Sequence, residues 1–352
     1  VKGTTVALDT LPDGREAAAL IADGRLEDLL IDPPDDLPGT GALLRGRVGR
    51  AIKGMGGVFV DLPGGRSGYL RGAKGRRPGE ALLVQVQGHA EPGKAVPVTE
   101  RLTLRSRHCV VTPGAPGLNV SRAVKDDAVR DRLLELAADA VPERDAHGLI
   151  LRTGAAEAPE DEVADDVAAT WALAMRVLAD PGREPELLLD APSAHLAAWR
   201  DWPADAQADE GAGAFDRHGA WAEVATLLTP ALPLGSASRA HVEPTRALVA
   251  VDVDTAEGGL AAGLKANLAL ARALPRALRL RGLGGQITVD PAPMPRKERR
   301  AFEAALRAAL RVDPVETILA GWTPLDHYEL RRRRERRPLA ELLPRGVPDG
   351  AA

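Results

Sequence analysis

The sequence predicts a multidomain protein of the α/β class, α+β in its overall mix, with a small closed β-barrel in its first third and a parallel α/β unit in its last. Three observations carry this. At 352 residues the chain exceeds one ordinary hydrophobic core and calls for roughly two or three folding units. From Ala42 to Leu104 short apolar runs alternate with glycine turns, the pattern of a small barrel. From Ala247 to Asp290 a strand, a helix and a strand follow at the length of a parallel crossover.

Taken in order, residues 4–31 read as two short strands and a turn, Thr5–Asp9 and Ala17–Ile21 ahead of Asp23-Gly24. Residues 33–41 are a linker, because Pro33, Pro34, Pro38, Gly39 and Gly41 break both helix and strand. The barrel strands are Leu43–Val48, Gly57–Leu62, Ser67–Leu70 and Ala81–Val86. Helical spacing of Val129, Leu133, Leu134, Leu136 and Ala137 predicts a helix over Asp126–Ala140, and Val163–Leu178 reads the same way. Residues 203–214, acidic and small, are expected to be a surface loop. Ala247–Val253 is a strand, Ala262–Arg281 a helix and Gln286–Asp290 a strand; Pro275 predicts a local bend, since proline costs about 3 kcal/mol in a regular helix interior.

Composition narrows the function. No apolar run approaches the roughly 20 residues that span a bilayer. The start, Val1 to Thr5, has none of the features of a secretory signal. Cys109 is the single cysteine, so no intrachain disulfide can form and the cytoplasm is the default compartment. The net charge of −4 argues against a polyanion partner until its distribution is considered. Arg45, Arg47, Arg50, Lys53, Arg66, Arg71, Lys74, Arg76, Arg77, Lys94, Arg101, Arg105 and Arg107 crowd residues 41–107, and a second basic concentration runs from Arg296 to Arg337. Segregation of this kind fits a polyanion-binding face.

The chemistry centres on Val249–Asp254. Alternation along a strand puts Asp252 and Asp254 on one side and the valines on the other. Asp290 closes the second strand, which Pro291 terminates. If the strands are neighbours, about 4.8 Å apart, their terminal carboxylates converge on one cation. Carboxylates with open water positions suit Mg²⁺ or Mn²⁺. Taken singly, each aspartate reads first as an ordinary strand end that starts a loop.

The run Val242-Glu243-Pro244-Thr245-Arg246-Ala247-Leu248 leads into Val249-Ala250-Val251-Asp252-Val253-Asp254. Lys265-Ala266-Asn267-Leu268, Leu278-Arg279-Leu280-Arg281-Gly282-Leu283-Gly284-Gly285 and Val289-Asp290 follow. This ordered series resembles the ribonuclease E/G family, and the likeness extends from about residue 4 to residue 340 with a shortened middle. It implies that Asp252 and Asp290 are metal-binding carboxylates and that Asp254, where the family has Asn, completes the catalytic set. The family's Asp-Phe-Ile-Asp-Met is here Asp290-Pro291-Ala292-Pro293-Met294, so a second acid has become Pro293.

Residues 42–104 resemble an S1 RNA-binding domain, a variant of the oligonucleotide-binding barrel. Phe59, Tyr69 and Lys94 match its base-stacking and backbone-contacting positions, against the alternative that Phe59 is barrel core and Lys94 a solvated turn. Gly148–Thr153 and Asn119–Arg122 resemble the family's pocket for a 5′-monophosphate end. Arg152, Thr153 and the backbone of Val110 would line it, with Ser106 and Glu316 as departures. Glu329–Arg337 matches a Glu-Met/Leu step followed by an Arg-rich helix that would wall an RNA channel. The family's Cys-Pro-x-Cys link is missing, so no structural zinc is expected.

The resemblance implies a ribonuclease H-like scaffold from residues 1–40 and 186–235, with the strand at Leu187–Asp190 returning to it. An S1 barrel (41–105), a 5′-sensor-like subdomain (106–185) and a DNase I-like catalytic domain (236–345) complete the chain. It implies a Mg²⁺-dependent endoribonuclease, Mn²⁺ being an alternative cation, that acts on single-stranded RNA and leaves 5′-phosphate and 3′-hydroxyl ends. DNA is not an expected partner; a homodimer is permitted. The competing readings are an RNA-binding adaptor of the same family that has lost cleavage, and a translation-associated S1 protein, which leaves residues 242–290 unexplained.

Overall fold

A computed structural model describes residues 3–35, 37–51, 56–73, 75–91, 93–141, 146–235, 237–256, 258–344 and 346–347; Lys53 and Lys74 of the basic set lie outside them. The chain divides into two compact units, Leu37–Ala206 and the pair of segments Val1–Asp36 and Gln207–Ala352.

The N-terminal segment forms three antiparallel strands, β1 (Thr4–Thr10), β2 (Glu16–Ala22) and β3 (Arg25–Ile31), one more than the sequence predicts. The third carries Arg25, Glu27 and Asp28, which mask its apolar alternation.

The unit Leu37–Ala206 opens with the barrel. Strands β4 (Leu43–Ala51), β5 (Gly57–Leu62), β6 (Arg66–Arg71), β7 (Ala81–Val86) and β8 (Val96–Thr99) close in the order β4-β5-β6-β8-β7, with β7 returning to β4 and β6 parallel to β8. This closed five-stranded ring is OB-like. Val58, Val60, Leu62, Leu70, Val84 and Val98 fill it. A second sheet holds β9 (Leu104–Arg105), β10 (Cys109–Pro113), β11 (Gly117–Val120) and β12 (His147–Leu151) in the order β11-β12-β10-β9. Helices α1 (Asp127–Ala140) and α2 (Glu160–Leu178) share a core with it through Leu133, Ala137, Val163 and Val167. Both helices match their predicted spans; the Asp126 carboxylate caps α1 at the Ala128 and Val129 amides.

Strand β13 (Glu186–Leu189) departs from expectation: it pairs antiparallel with β4 of the barrel and does not return to the N-terminal strands. Arg45 explains the placement. Its buried guanidinium is ion-paired with Asp180 and Glu186 and donates to the Glu184 carbonyl at 2.6 Å, which clamps residues 180–186 against β4. Helix α3 (Ala194–Asp201) ends the unit.

The second unit resumes within the predicted loop, where β14 (Gln207–Asp209) joins β1 in parallel to give the sheet β14-β1-β2-β3. Helices α4 (Ala214–Arg217) and α5 (Ala220–Leu227) cover it with Phe215, Trp221 and Val224. A six-stranded sheet follows, built from β15 (Ala231–Gly235), β16 (Ser238–Pro244), β17 (Val249–Asp254), β18 (Gly285–Asp290), β19 (Thr317–Trp322) and β20 (Tyr328–Arg332) in the order β15-β16-β17-β18-β20-β19. The predicted crossover is present: helix α6 (Leu260–Leu280) links the parallel neighbours β17 and β18. The helical span runs through Pro275, whose ring is buried. Leu270, Leu274 and Leu278 of α6, with Phe302 and Leu306 of α7 (Arg299–Val312), pack on the valines of one sheet face. A short α8 (Leu339–Leu342) closes the unit. No described helix is long and apolar enough to cross a membrane.

Candidate active site and RNA-facing surfaces

With helices on one face of the six-stranded sheet, every second residue of its strands points to the other. On β17 the burial alternates as predicted: Val249, Val251 and Val253 are buried, Asp252 and Asp254 exposed. On β18, Ile287 and Val289 are buried while Gln286 and Asp290 are exposed. The parallel register sets Asp252 directly beside Asp290, as the last rung between the two strands. The neighbouring placement expected of the two strand ends is therefore a property of the ladder.

The same ladder extends the site to residues that local pattern did not single out. His241 of β16 lies beside Asp252, and Arg239 beside Asp254. On the other side, His327 Nε2 stands 3.7 Å from Asp290 Oδ1. A row His241–Asp252–Asp290–His327 thus crosses the open face. Alternation along β16 could have placed His241; His327 precedes its strand, and only tertiary pairing brings it to Asp290.

Two carboxylates on adjacent strands, both open to solvent, are a donor set that Mg²⁺ accepts, the remaining positions going to water and phosphate oxygens. Among the described residues, no group of three or more His, Cys, Asp or Glu side chains is arranged to hold a metal ion.

On the barrel, Phe59 and Tyr69 are register partners on β5 and β6, with ring centroids 5.6 Å apart. Val58, Val60 and Leu70 point inward, so alternation turns both aromatic rings to the outside, half-buried and absent from the core cluster. Lys94 lies in the turn before β8, exposed and ion-paired with Glu91. Exposed Arg50, Arg71, Arg77, Arg101 and Arg105 remain on this unit's surface, whereas Arg45 is internal and Arg47 is paired with Glu184.

Arg152 follows β12, and Val110 sits on the neighbouring β10 opposite Ile150. The Thr153 hydroxyl meets Ser121 Oγ at 3.1 Å. The Arg152 guanidinium, however, is committed to its own chain. Nη1 donates to the carbonyls of Ser106 at 2.6 Å and Arg200 at 3.0 Å, and Nη2 donates to Asp201 Oδ1 at 2.7 Å. It caps the C-terminus of α3, and Asp201 lies where an anion would seek the arginine fork.

The Arg-rich run also differs from expectation. It begins as strand β20 and continues extended; it forms no long helix. Arg332 is buried against Asp313 at 2.7 Å, Arg336 pairs with Asp28, and Arg337 pairs with Asp35 at 2.8 Å. The glycine tract accommodates it: a Cβ on Gly282 would lie 2.1 Å from the Arg337 carbonyl, and one on Gly284 2.5 Å from that of Arg333. Arg331 and Arg333 keep exposed side chains, so most of the run binds the unit together and only part of it faces solvent.

The Ribonuclease E/G family profile matches residues 103–210 and 205–335. The chain belongs to the ribonuclease E/G family. It is 26% identical over 392 residues to ribonuclease G of Salmonella typhimurium and 26% identical over 395 residues to ribonuclease G of Escherichia coli (strain K12), in each case covering 92% of this chain and 79% of the relative. To ribonuclease E of Synechocystis it is 26% identical over 314 residues, 77% of this chain and 46% of that protein. The matched family regions contain Val110, Arg152, Thr153, Asp252, Asp254 and Asp290; Phe59, Tyr69 and Lys94 precede them.

Proposed function

We propose that this chain is an endoribonuclease that cleaves single-stranded RNA in RNA processing or decay, with Asp252 and Asp290 as the centre of a divalent-cation site. The observation that carries this reading is their register, side by side at the end of two parallel strands on the open face. In the hydrolysis, a water oxygen bonds to phosphorus and the P–O3′ bond breaks. A 5′-phosphate and a 3′-hydroxyl remain, the latter taking up a proton. Mg²⁺, or Mn²⁺ in its place, would be held by Asp252 and Asp290 and would supply charge neutralisation and a more acidic water. Asp254 and Arg239 border the site, and Asp254 adds negative charge that favours cation binding.

The S1 reading of the barrel is supported by the outward Phe59–Tyr69 pair, which offers stacking surfaces to unpaired bases. The parallel addition of β14 to three antiparallel strands is consistent with a ribonuclease H-like sheet. An adaptor without cleavage is the second reading, favoured by Pro293, which stands where the resemblance implies a second acid.

Incubation with 5′-labelled single-stranded RNA in Mg²⁺ or EDTA, beside Asp252→Ala and Asp290→Ala proteins, separates the two. Internal cuts that need Mg²⁺ and vanish in both variants support the enzyme. Tight binding without cuts in Mg²⁺ or Mn²⁺ assigns the adaptor.

A further inference from the structure

The motif Lys265-Ala266-Asn267-Leu268 lies on α6, which packs on the valine face of the sheet, and it contains a fully buried amide. The ladder between β17 and β18 ends at the Asp252–Asp290 rung, and the pairing of β18 with β20 ends one residue earlier, at Val289. Pro291 has no N–H to continue either. The chain leaving Asp290 therefore lacks sheet support just where a carboxylate has to be held. Asn267 supplies it. Its Nδ2 donates to the Ala292 carbonyl at 2.8 Å, and the Ala292 amide donates to its Oδ1 at 3.0 Å. One side chain thus replaces a missing rung, with both bonds sheltered from water.

One turn earlier on the same face of α6, Gly263 is buried, and a Cβ there would lie 2.0 Å from the Pro293 carbonyl. Glycine in a helix interior costs about 1 kcal/mol relative to alanine. Here its lack of a side chain lets the Pro293 carbonyl lie against the helix. Two residues spaced by one helical turn grip two consecutive residues beyond Asp290.

We propose that Asn267 is a positioning residue for the Asp290 carboxylate, acting through Ala292, and that Gly263 provides the clearance this grip requires. The inference rests on Asp252 and Asp290 forming the cation site. Asn267 touches neither substrate nor metal; it sets the direction in which the chain leaves Asp290 and so the orientation of that carboxylate.

The test is Mn²⁺ binding to the full chain, followed by electron paramagnetic resonance, beside kcat and KM for RNA cleavage and a thermal melt. Asn267→Ala and Gly263→Ala are expected to weaken Mn²⁺ binding and lower kcat by about tenfold, the low end for residues that orient a metal ligand, with KM unchanged. Asn267→Asp keeps the acceptor for the Ala292 amide and serves if Asn267→Ala does not fold. A purely structural role would lower the melting temperature and leave Mn²⁺ affinity, measured well below it, at the parental value; that result overturns the proposal. Asp290→Ala separates the two levels. If Mn²⁺ binding survives it, the cation-site reading falls and the proposal with it; if binding is lost there but parental in the folded helix variants, the proposal alone fails.

Discussion

Replacing Phe59 by alanine tests whether the barrel's outer aromatic pair binds RNA. Phe59 is half-buried, outside the barrel core, and 5.6 Å from its register partner Tyr69. Stacking of one base on one aromatic side chain contributes about 1–3 kcal/mol. At about 1.4 kcal/mol per decade, Kd for single-stranded RNA should rise by about fivefold to 150-fold. The lost aromatic contact should cost the barrel only about 0.5–1.5 kcal/mol. Because the rings touch, the Phe59→Ala/Tyr69→Ala double variant should lose less than the sum of the single losses. Fluorescence anisotropy with a labelled oligouridine at fixed salt measures both, since the phosphate contribution varies steeply with ionic strength. A Kd within twofold of the parent, with a lowered melting temperature, would refute the reasoning and make Phe59 a packing residue.

Asp313→Ala should be severely destabilising: the carboxylate is buried between Arg332 and Arg279, and removing one partner of such a group costs about 3–5 kcal/mol. At roughly 2–4 °C per kcal/mol, calorimetry should show a fall of about 6–20 °C, and an unchanged melt would show that the network is not stabilising. Burial pushes the Asp28 carboxyl up, but Arg336 and Arg279 outweigh that and hold it below the usual carboxylate range. The stability it contributes is present above its unfolded value and lost as pH falls through the folded one. Melting temperature should therefore drop below about pH 4, and Asp28→Asn should flatten that drop. Burial pushes the Cys109 thiol up to about 11, so a thiol reagent at neutral pH should label it only after unfolding; rapid labelling of folded protein would contradict the packing of β10. With the Arg152 fork occupied by Asp201, RNAs with 5′-phosphate and 5′-hydroxyl ends should be cut at similar rates. A strong 5′-phosphate preference would show that the fork opens to ligand.

The placement of Asp252 and Asp290 was legible because its signals are local. Period-two alternation assigns Asp252 to the face opposite the valines, and the strand–helix–strand length makes Asp252 and Asp290 neighbours. Helices α1 and α2 were legible for the same reason, their apolar stripes being long and regular. The barrel's runs and turns announced themselves, but inward and outward positions became certain only once register was fixed. His327 and Asn267 carried no such signal, since each gains its meaning from residues that a strand pairing or a helix crossing brings to it.

The sequence by itself determined the family motifs, the β-barrel and the crossover that carries the carboxylates, because these depend on periodicity and spacing within short stretches. Tertiary structure decided where the charges went. Arg45 reads as part of an RNA-facing basic set and is a buried clamp for β13; the run from Arg331 reads as a helix walling an RNA channel and is an extended strap, paired to Asp28, Asp35 and Asp313. An arginine carries its charge at the end of a long flexible stem, so its partner is set by whichever carboxylate or carbonyl the fold brings within reach, and that choice is invisible until distant segments meet.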